Sequence, residues 1–468
     1  MNDLSVASFN HDFILKLFNL NSHDIESFHI RHQDNRVVVA LKLVVKTHPC
    51  PVCLYETTKI KGYTLKRINH SILHTMACQI EYRARRYQCP LCQKTFYEHN
   101  PFTLEGMRTS LATVFNVLKD LKSETETFSS VAKRHHLSVT TVSNYFDQYV
   151  HIEPGPLSSI LCIDEVYAFK SKNSQYVCVL LDYISHRVID LLPSRRKEDL
   201  IRYLSQIDRN KRLEVKIVSI DMWETYRQIT KSYFPKALCA VDKFHVLQEF
   251  SRAMNRVRVD AMNQVKNQKD KPDPNASPAE KEQWYLNDQQ YYVFKKFNWL
   301  LFKTPDYENL DINVPKKFNR KLNRYMNFYD LLQVMLKASK PLREAYQLKQ
   351  ALYQFYQSEQ PTKDQLTQLI QLFKNSNLKV MNKFSDTLAN WKKEILHSFI
   401  QVPIDGRMVR VNNALIENRN KTIKTIKRNS NGFTHWNRFR NRCLYVLNDD
   451  ATFSLYPKKK KDHSSQNK

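Results

Sequence analysis

Two aspartates close apolar runs that read as strands, Asp164 in "SILCIDE" and Asp221 in "VKIVSIDMW". Carboxylates at the C-terminal ends of strands stand where α/β sheets place their ligands. Asp182 and Asp242 end similar runs and compete for the same role. Far along the chain, Glu417 heads "LIENRNKTIKTIKR", a stretch that otherwise gathers only positive charge. At about 100° per residue in a helix, Lys421, Lys424 and Arg428 fall within roughly 60° of one another on the stripe that contains Glu417. Leu415, Ile416, Ile423 and Ile426 fall on the far side and are expected to pack inward. A Glu–Lys pair at i,i+4 contributes only about 0.2–0.5 kcal/mol, too little to account for the accumulated charge. A face that holds a phosphate backbone beside a metal-ligating carboxylate accounts for both. Asp164, Asp221 and Glu417 are therefore the candidate catalytic set. Three carboxylates suffice for two Mg²⁺ (or Mn²⁺) ions about 3.5–4 Å apart, the arrangement for in-line attack on a phosphodiester. Successive strand residues point to opposite faces, so Asp164 and Glu165 are not expected to reach one site.

The second constellation is built from sulfur. Cys50 and Cys53 in "CPVC" and Cys89 and Cys92 in "CPLC" form two chelating turns, and together they can complete a tetrahedral site for one structural Zn²⁺. Their separation demands a hairpin-like ribbon between them. Such a site is closed and not catalytic. His70, His74 and Cys78 lie between the pairs and are expected to be ordinary residues rather than ligands. Cys162, Cys178 and Cys239 sit inside apolar runs, where a free cysteine packs as a small hydrophobe.

The elements that must position these groups follow from periodicity. Residues 1–100 mix an apolar helix candidate (Phe13 to Phe18) with the extended run "VVVALKLVV". "TFSSVAKRHHLSVTTVSNYFDQY" has the rhythm of a helix-turn-helix. Phe128, Val131 and Ala132 face inward on a first helix, Leu137 plugs the turn and Ser138 or a neighbouring residue caps a second helix with Val142 and Tyr145 inward. Thr140, Thr141, Ser143 and Asn144 would then face outward, where polar side chains suit base edges and phosphates. From Ser158 to His245, three strand runs precede alternating strands and helices, the pattern of a mixed-sheet α/β core. A long helical section follows, interrupted by the linker "DKPDPNASP", and the tail "PKKKKDHSSQNK" is too polar to fold.

Composition narrows the function classes. Lys and Arg number 73 against 46 Asp and Glu, a formal charge of +27, which favours a polyanionic partner. The five glycines are dispersed, so no phosphate-cradling loop or dinucleotide fingerprint is present and no nucleotide cofactor is expected. No run of about 18 apolar residues occurs and the N-terminus does not read as a signal peptide, so no membrane association is expected. Cysteine usage fits a reducing, intracellular setting, so a cytoplasmic protein is expected.

The order "CPVC", "RYQCPLCQKTFYE", helix-turn-helix, "IDE", "SIDMWETY", "VDKFHV" and "NNALIENRNKTIKTIKRNSNGFTHWNRFRNRCLY" resembles the ISL3 family of bacterial insertion-sequence transposases. The resemblance runs over nearly the whole chain. It implies a DDE transposase with an RNase H-like core, a catalytic triad at Asp164, Asp221 and Glu417, and a helical insertion between the second Asp and the Glu. Asp242 and His245 match a further family motif and are expected to buttress the core. Lys243 stands where a related arrangement often has Arg. The expected fold is multidomain α/β: a zinc ribbon over 1–100, a helix-turn-helix over 101–155, and an RNase H-like mixed-sheet core over 156–250. A helical insertion over 251–405, C-terminal core helices with the catalytic Glu over 406–450 and a basic disordered tail over 451–468 complete it. Double-stranded DNA, as insertion-sequence ends and target, is the expected partner, bound by a homo-oligomer. Lys421, Lys424, Lys427 and Arg428 are expected to grip phosphates without reading sequence. Two other readings stay open: a DNA-binding regulator with an inactive core, and an RNase H-like nuclease that cuts without joining.

Overall fold

The computed structural model describes residues 21–71, 75–172, 174–267, 271–304 and 306–455. The helix candidate Phe13 to Phe18, His74 and the tail "PKKKKDHSSQNK" lie outside the described residues. Two compact units are present. One comprises Met1–Pro154, Tyr167–Ser171 and Lys421–Lys468, the other Gly155–Val166 and Lys172–Asn420.

The first unit opens with a mixed sheet ordered β1 (Ile25–Gln33), β2 (Arg36–Leu43), β6 (Ala77–Gln88) and β5 (Ile60–Asn69), with β7 (Thr95–Tyr97) also pairing β6. The two-residue strands β3 (His48–Pro49) and β4 (Glu56–Thr57) form a separate pair beside the first cysteine turn. Alternation in β2 and β6 sends Val39, Leu41, Ile80, Tyr82 and Ala84 into one apolar cluster. β5 and β6 run antiparallel between the two cysteine turns, as the spacing requires.

Three short helices follow: α1 (Leu111–Asp120), α2 (Phe128–Arg134) and α3 (Val139–Tyr149). Thr127 and Ser130 form a reciprocal capping box that starts α2, and the Ser138 hydroxyl accepts from the Thr141 amide to start α3. Between them His136 takes φ 52°, a left-handed conformation that glycine adopts without steric cost. Phe128, Val131, Ala132 and Val142 are buried as expected. The inner face of α3 differs from expectation, because Phe146 and Tyr149 rather than Tyr145 carry it. Ser143, expected outside, is only 7% exposed. It lies about 60° around the helix from Phe146, on the flank of the buried stripe.

The second unit is built on a five-stranded sheet ordered β10 (Val188–Leu192), β9 (Tyr176–Asp182), β8 (Ile160–Tyr167), β11 (Ile217–Ile220) and β12 (Leu238–Val241). β10 is antiparallel to β9, whereas β8, β11 and β12 run parallel. Helices α4 (Lys197–Ser205), α5 (Arg209–Leu213) and α6 (Glu224–Tyr233) form the crossovers. β8 does not end at Asp164 but continues to Tyr167.

A mostly helical section follows: α7 (Lys243–Gln264) and α8 (Pro278–Lys296), then the hairpin β13 (Lys317–Asn319) and β14 (Arg324–Met326). Next come α9 (Phe328–Ala338), α10 (Lys340–Gln357), α11 (Lys363–Lys374), α12 (Lys379–Asn390) and α13 (Lys392–His397). Pro278, read as linker, is instead the first residue of α8, where its missing N–H costs no helical hydrogen bond; Ser277 and Glu280 cap it. One continuous core joins Leu161, Ile163, Val218 and Val241 of the sheet with Phe250, Phe373 and Phe384 of the helices. The hairpin β15 (Gln401–Ile404) and β16 (Arg407–Arg410) then leads into α14 (Ala414–Asn429), and α15 (Trp436–Leu447) is the last helix among the described residues.

Candidate active site and metal centre

The sheet register explains how distant acids meet. In the parallel pairs Ile217 is level with Ile160 and with Leu238, and Ser219 with Cys162 and Ala240. Continuing by two residues puts Asp221 level with Asp164, and with Asp242 on the other side. Adjacent strands lie about 4.8 Å apart, and residues in one row share a face. Asp164, Glu165 and Asp221 each offer a carboxylate oxygen within 4.8 Å of the others. The expectation that Glu165 points away is therefore wrong. Glu165 lies beyond Cys162, the last β8 residue paired with β11, and its carboxylate is held by an ion pair to Arg195. The Arg195 guanidinium lies between the rings of Tyr176, at 4.2 Å, and Trp223, at 4.8 Å.

Glu417 falls in a neighbouring cluster with Asp242 and His245, again within 4.8 Å. The two clusters are linked by Asn420, one turn beyond Glu417 on α14, whose amide donates to Asp164 Oδ2 at 2.9 Å. Both residues are buried. The start of α14 is pinned separately. The Asn413 carbonyl accepts the Glu417 amide at 2.9 Å, and its side-chain oxygen accepts from the Ser219 hydroxyl of β11 at 2.6 Å. Asn413, Glu417 and Asn420 are spaced i, i+4, i+7, one face of a helix. That spacing was visible in "NNALIENRN" and is the signal by which both asparagines could have been found.

The electrostatics are those of crowded acids out of water. Burial pushes the Asp164 carboxyl up to about 7, the Glu165 amide opposes this, and the charges of Glu165, Glu417 and Asp242 add to it. Asp221 is raised as well, by burial first and then by Glu165 and Asp164, with Arg195 opposing. Asp242 is raised by burial against the amides of Phe244, Asn413 and Lys243. Burial lowers His245, with the charges of Glu417 and Glu165 opposing. Asp221 Oδ1 and Glu165 Oε2 are buried with no hydrogen-bond partner among the described residues. An all-oxygen donor set with repelling, unsatisfied carboxylates fits a hard divalent cation such as Mg²⁺. Asp182, the other competitor, is used in a turn, where it accepts the Ile184 amide and the Ser185 hydroxyl.

On α14, Ile416, Ile423 and Ile426 are buried, as expected, and Leu415 is half-buried. Lys421, Lys424 and Arg428 are exposed, while Lys427 is half-buried with its ammonium 4.3 Å from the Tyr167 ring centre. On α3, Thr140 and Asn144 are exposed and Thr141 is half-buried, its hydroxyl 2.8 Å from that of Ser138.

The four cysteines of the first unit converge. Cys50–Cys92, Cys53–Cys89 and Cys53–Cys92 sulfurs are 3.5 Å apart. Four thiolates about 2.3 Å from one zinc would be about 3.8 Å apart, so the cluster fits that ion. Each turn has the same backbone form: the Cys50 carbonyl accepts the Leu54 amide, and the Cys89 carbonyl the Gln93 amide. Leu54 and Gln93, each directly after the second cysteine, take φ 60° and 61°. Burial opposes ionisation of Cys50, yet the amides of Cys53 and Val52 bring its thiol down to about 7. His70 is engaged elsewhere, with Ser110 Oγ at 2.7 Å, and Cys78 is buried in the sheet core.

Residues 161–443, more than half of the chain and spanning both acidic clusters, match the DDE-type ISL3 family profile described as transposase. The chain belongs to the ISL3 transposase family. The transposase for insertion sequence element IS1001 of Bordetella parapertussis is 26% identical over 265 residues, which cover 56% of this chain. That match spans about half the length of this curated relative, 55%. Among the described residues of this family member, no helix is long and apolar enough to cross a membrane.

Proposed function

We propose that this transposase binds the ends of its own insertion sequence and carries out divalent-metal-dependent DNA strand cleavage and strand transfer. Asp164, Asp221 and Glu417 are its catalytic, metal-holding carboxylates. The observation that carries the reading is the row of acids across the parallel strands, with Asn420 tying the Glu417 helix to Asp164. The sheet, three strands in sequence followed by two parallel crossovers, supports an RNase H-like core with the long helical section as its insertion.

When bound, divalent ions would activate the attacking water or 3′-hydroxyl and stabilise the leaving oxygen of an in-line displacement. Asp164 and Asp221 would hold them on the sheet, and Glu417 would close the site from the helix. Asn420 fixes the direction of the Asp164 carboxylate, and Ser219 and Asn413 fix where the helix begins. Arg195 keeps Glu165 from adding a full unpaired charge to the same spot. α2 and α3 act as a DNA-reading helix-turn-helix through Thr140, Thr141 and Asn144, the cysteine ribbon supports it, and Lys421, Lys424, Lys427 and Arg428 meet phosphates.

The test compares wild type with Asp221→Asn on DNA carrying the flanks of the gene, with Mg²⁺. Cleavage should vanish in the variant while binding to the ends persists. Binding without cleavage in wild type would instead indicate a regulator. Cutting without joining, when a pre-cut end with a free 3′-hydroxyl is supplied, would indicate a nuclease.

A further inference from the structure

The hairpin β13–β14 lies in the helical section, about a hundred residues in sequence from the nearest candidate catalytic group. Its register puts Phe318 directly opposite Tyr325, so both rings leave the same face. They are 50% and 68% exposed, with ring centres 5.3 Å apart. The turn is held rigidly: Asn319 Oδ1 accepts the amides of Lys321 and Leu322, and Asn323 takes φ 50°. Leu322 and Met326 are buried and anchor the hairpin to the helices.

Two large aromatic side chains held out in water by a pinned turn serve no packing purpose here. Around them the sequence "KKFNRKLNRY" supplies five cations. Lys316 pairs with Asp330 and Lys321 with Asp288, which leaves Lys317, Arg320 and Arg324 exposed with no ion pair among the described residues. Beside the hairpin, a cleft of about 640 Å³ is lined by Arg324, Tyr325, Tyr329 and the amide side chains of Gln289, Gln290 and Gln333.

Cations next to exposed ring faces match a polymer that alternates phosphate with flat bases. In a duplex the base faces are stacked and hidden, and reaching them costs unstacking, so ring faces of this kind match an unpaired strand better. We infer that the hairpin is a binding platform for single-stranded DNA. Phe318 and Tyr325 stack on unpaired bases and Lys317, Arg320 and Arg324 hold the flanking phosphates. The choice of DNA as the polymer rests on the reading proposed above, but the site itself does not depend on catalysis.

The test is fluorescence anisotropy of the full chain with a labelled oligothymidylate of about 20 nucleotides, compared with a duplex of the same length. The double variant F318A/Y325A should weaken single-strand binding by about tenfold or more, at stacking worth roughly 1–3 kcal/mol per base. Duplex binding should change less than about twofold. The ring-preserving variant F318Y/Y325F should bind both as wild type, which separates stacking from misfolding. K317Q/R320Q/R324Q should flatten the salt dependence of single-strand binding by up to about 0.7 per charge removed. Equal loss on both substrates, no loss on the single strand, or a change confined to self-association would each overturn the inference. Wild-type binding by Asp221→Asn keeps the two claims apart: cleavage by that variant would sink the catalytic reading alone.

Discussion

The cluster of four cysteines and the two neighbouring three-membered acidic clusters are both sets of donor groups, yet they are built in opposite ways. The cysteine site is two copies of one local turn, each closed by its own amide-to-carbonyl bond, brought together by a single antiparallel hairpin. The two neighbouring acidic clusters draw on β8, the residues just after β11 and β12, and a helix that starts at Ala414. Asp164 and Asp242 are buried, Glu165, Asp221 and Glu417 half-buried, and the acids repel one another and leave oxygens unsatisfied. A site whose ligands are local can be closed and structural. A site assembled across the fold needs dedicated polar pins, here Asn413, Ser219 and Asn420, to hold charge that would otherwise push it apart.

The largest expected effect is on the cysteine side of this comparison. Wild type should carry one zinc per chain, and Cys50→Ser or Cys89→Ser should carry none by elemental analysis. Structural zinc contributes on the order of 10 kcal/mol to small domains, so hydrogen exchange should show the ends of β5 and β6 opening while the β8–β11–β12 sheet stays protected. If the sheet opened equally, the two regions would not be independent. Next comes the carboxylate side. Asp164→Asn or Asp221→Asn should lower the strand-cleavage rate by at least about a thousandfold, equivalent to about 4 kcal/mol of transition-state stabilisation, with folding intact by circular dichroism.

Asn420→Ala sharpens the comparison, because it removes a pin and no ligand. Divalent-ion affinity or cleavage rate should fall about 10–100-fold, the usual effect of losing a partner that orients a metal ligand. An unchanged Mn²⁺ affinity and rate would show that Asp164 needs no such hold. Asn413→Ala should cost about 1–3 kcal/mol of stability in denaturant titration, since it strands the Ser219 hydroxyl.

A last prediction is a control for burial without a metal. Lys349 is buried, bonded to the Lys303 carbonyl, and burial brings its ammonium down to about 8. Unfolded lysine titrates near 10.4, so between about pH 8 and 10.4 the unfolded chain holds a proton that the folded chain has lost. Stability should therefore rise with pH through that window, the burial penalty being fully present below it. Lys349→Met should flatten the rise, measured by thermal melts across pH.

How much was legible follows the same division. Cys50, Cys53, Cys89 and Cys92 could be read off spacing because each turn encodes its own geometry. Asp164 and Asp221 could be read as strand-end acids, although β8 in fact runs on to Tyr167. Strand alternation misled at Glu165, because alternation describes where a Cβ points and not where a long side chain ends. Ser143 was misplaced because the buried stripe of α3 is wider than the pattern of its largest apolar residues. Asn413 and Asn420 escaped notice because asparagine carries no charge to mark it, although their spacing around Glu417 was there to be counted.

The central claim is that Asp164, Asp221 and Glu417 hold divalent cations together, and anomalous diffraction from crystals soaked in Mn²⁺ tests it directly. Two manganese peaks about 3.5–4 Å apart, shared by Asp164, Asp221 and Glu417, are expected. Manganese bound only by Asp164, Glu165 and Asp221, with Glu417 still turned toward Asp242 and His245, would contradict it.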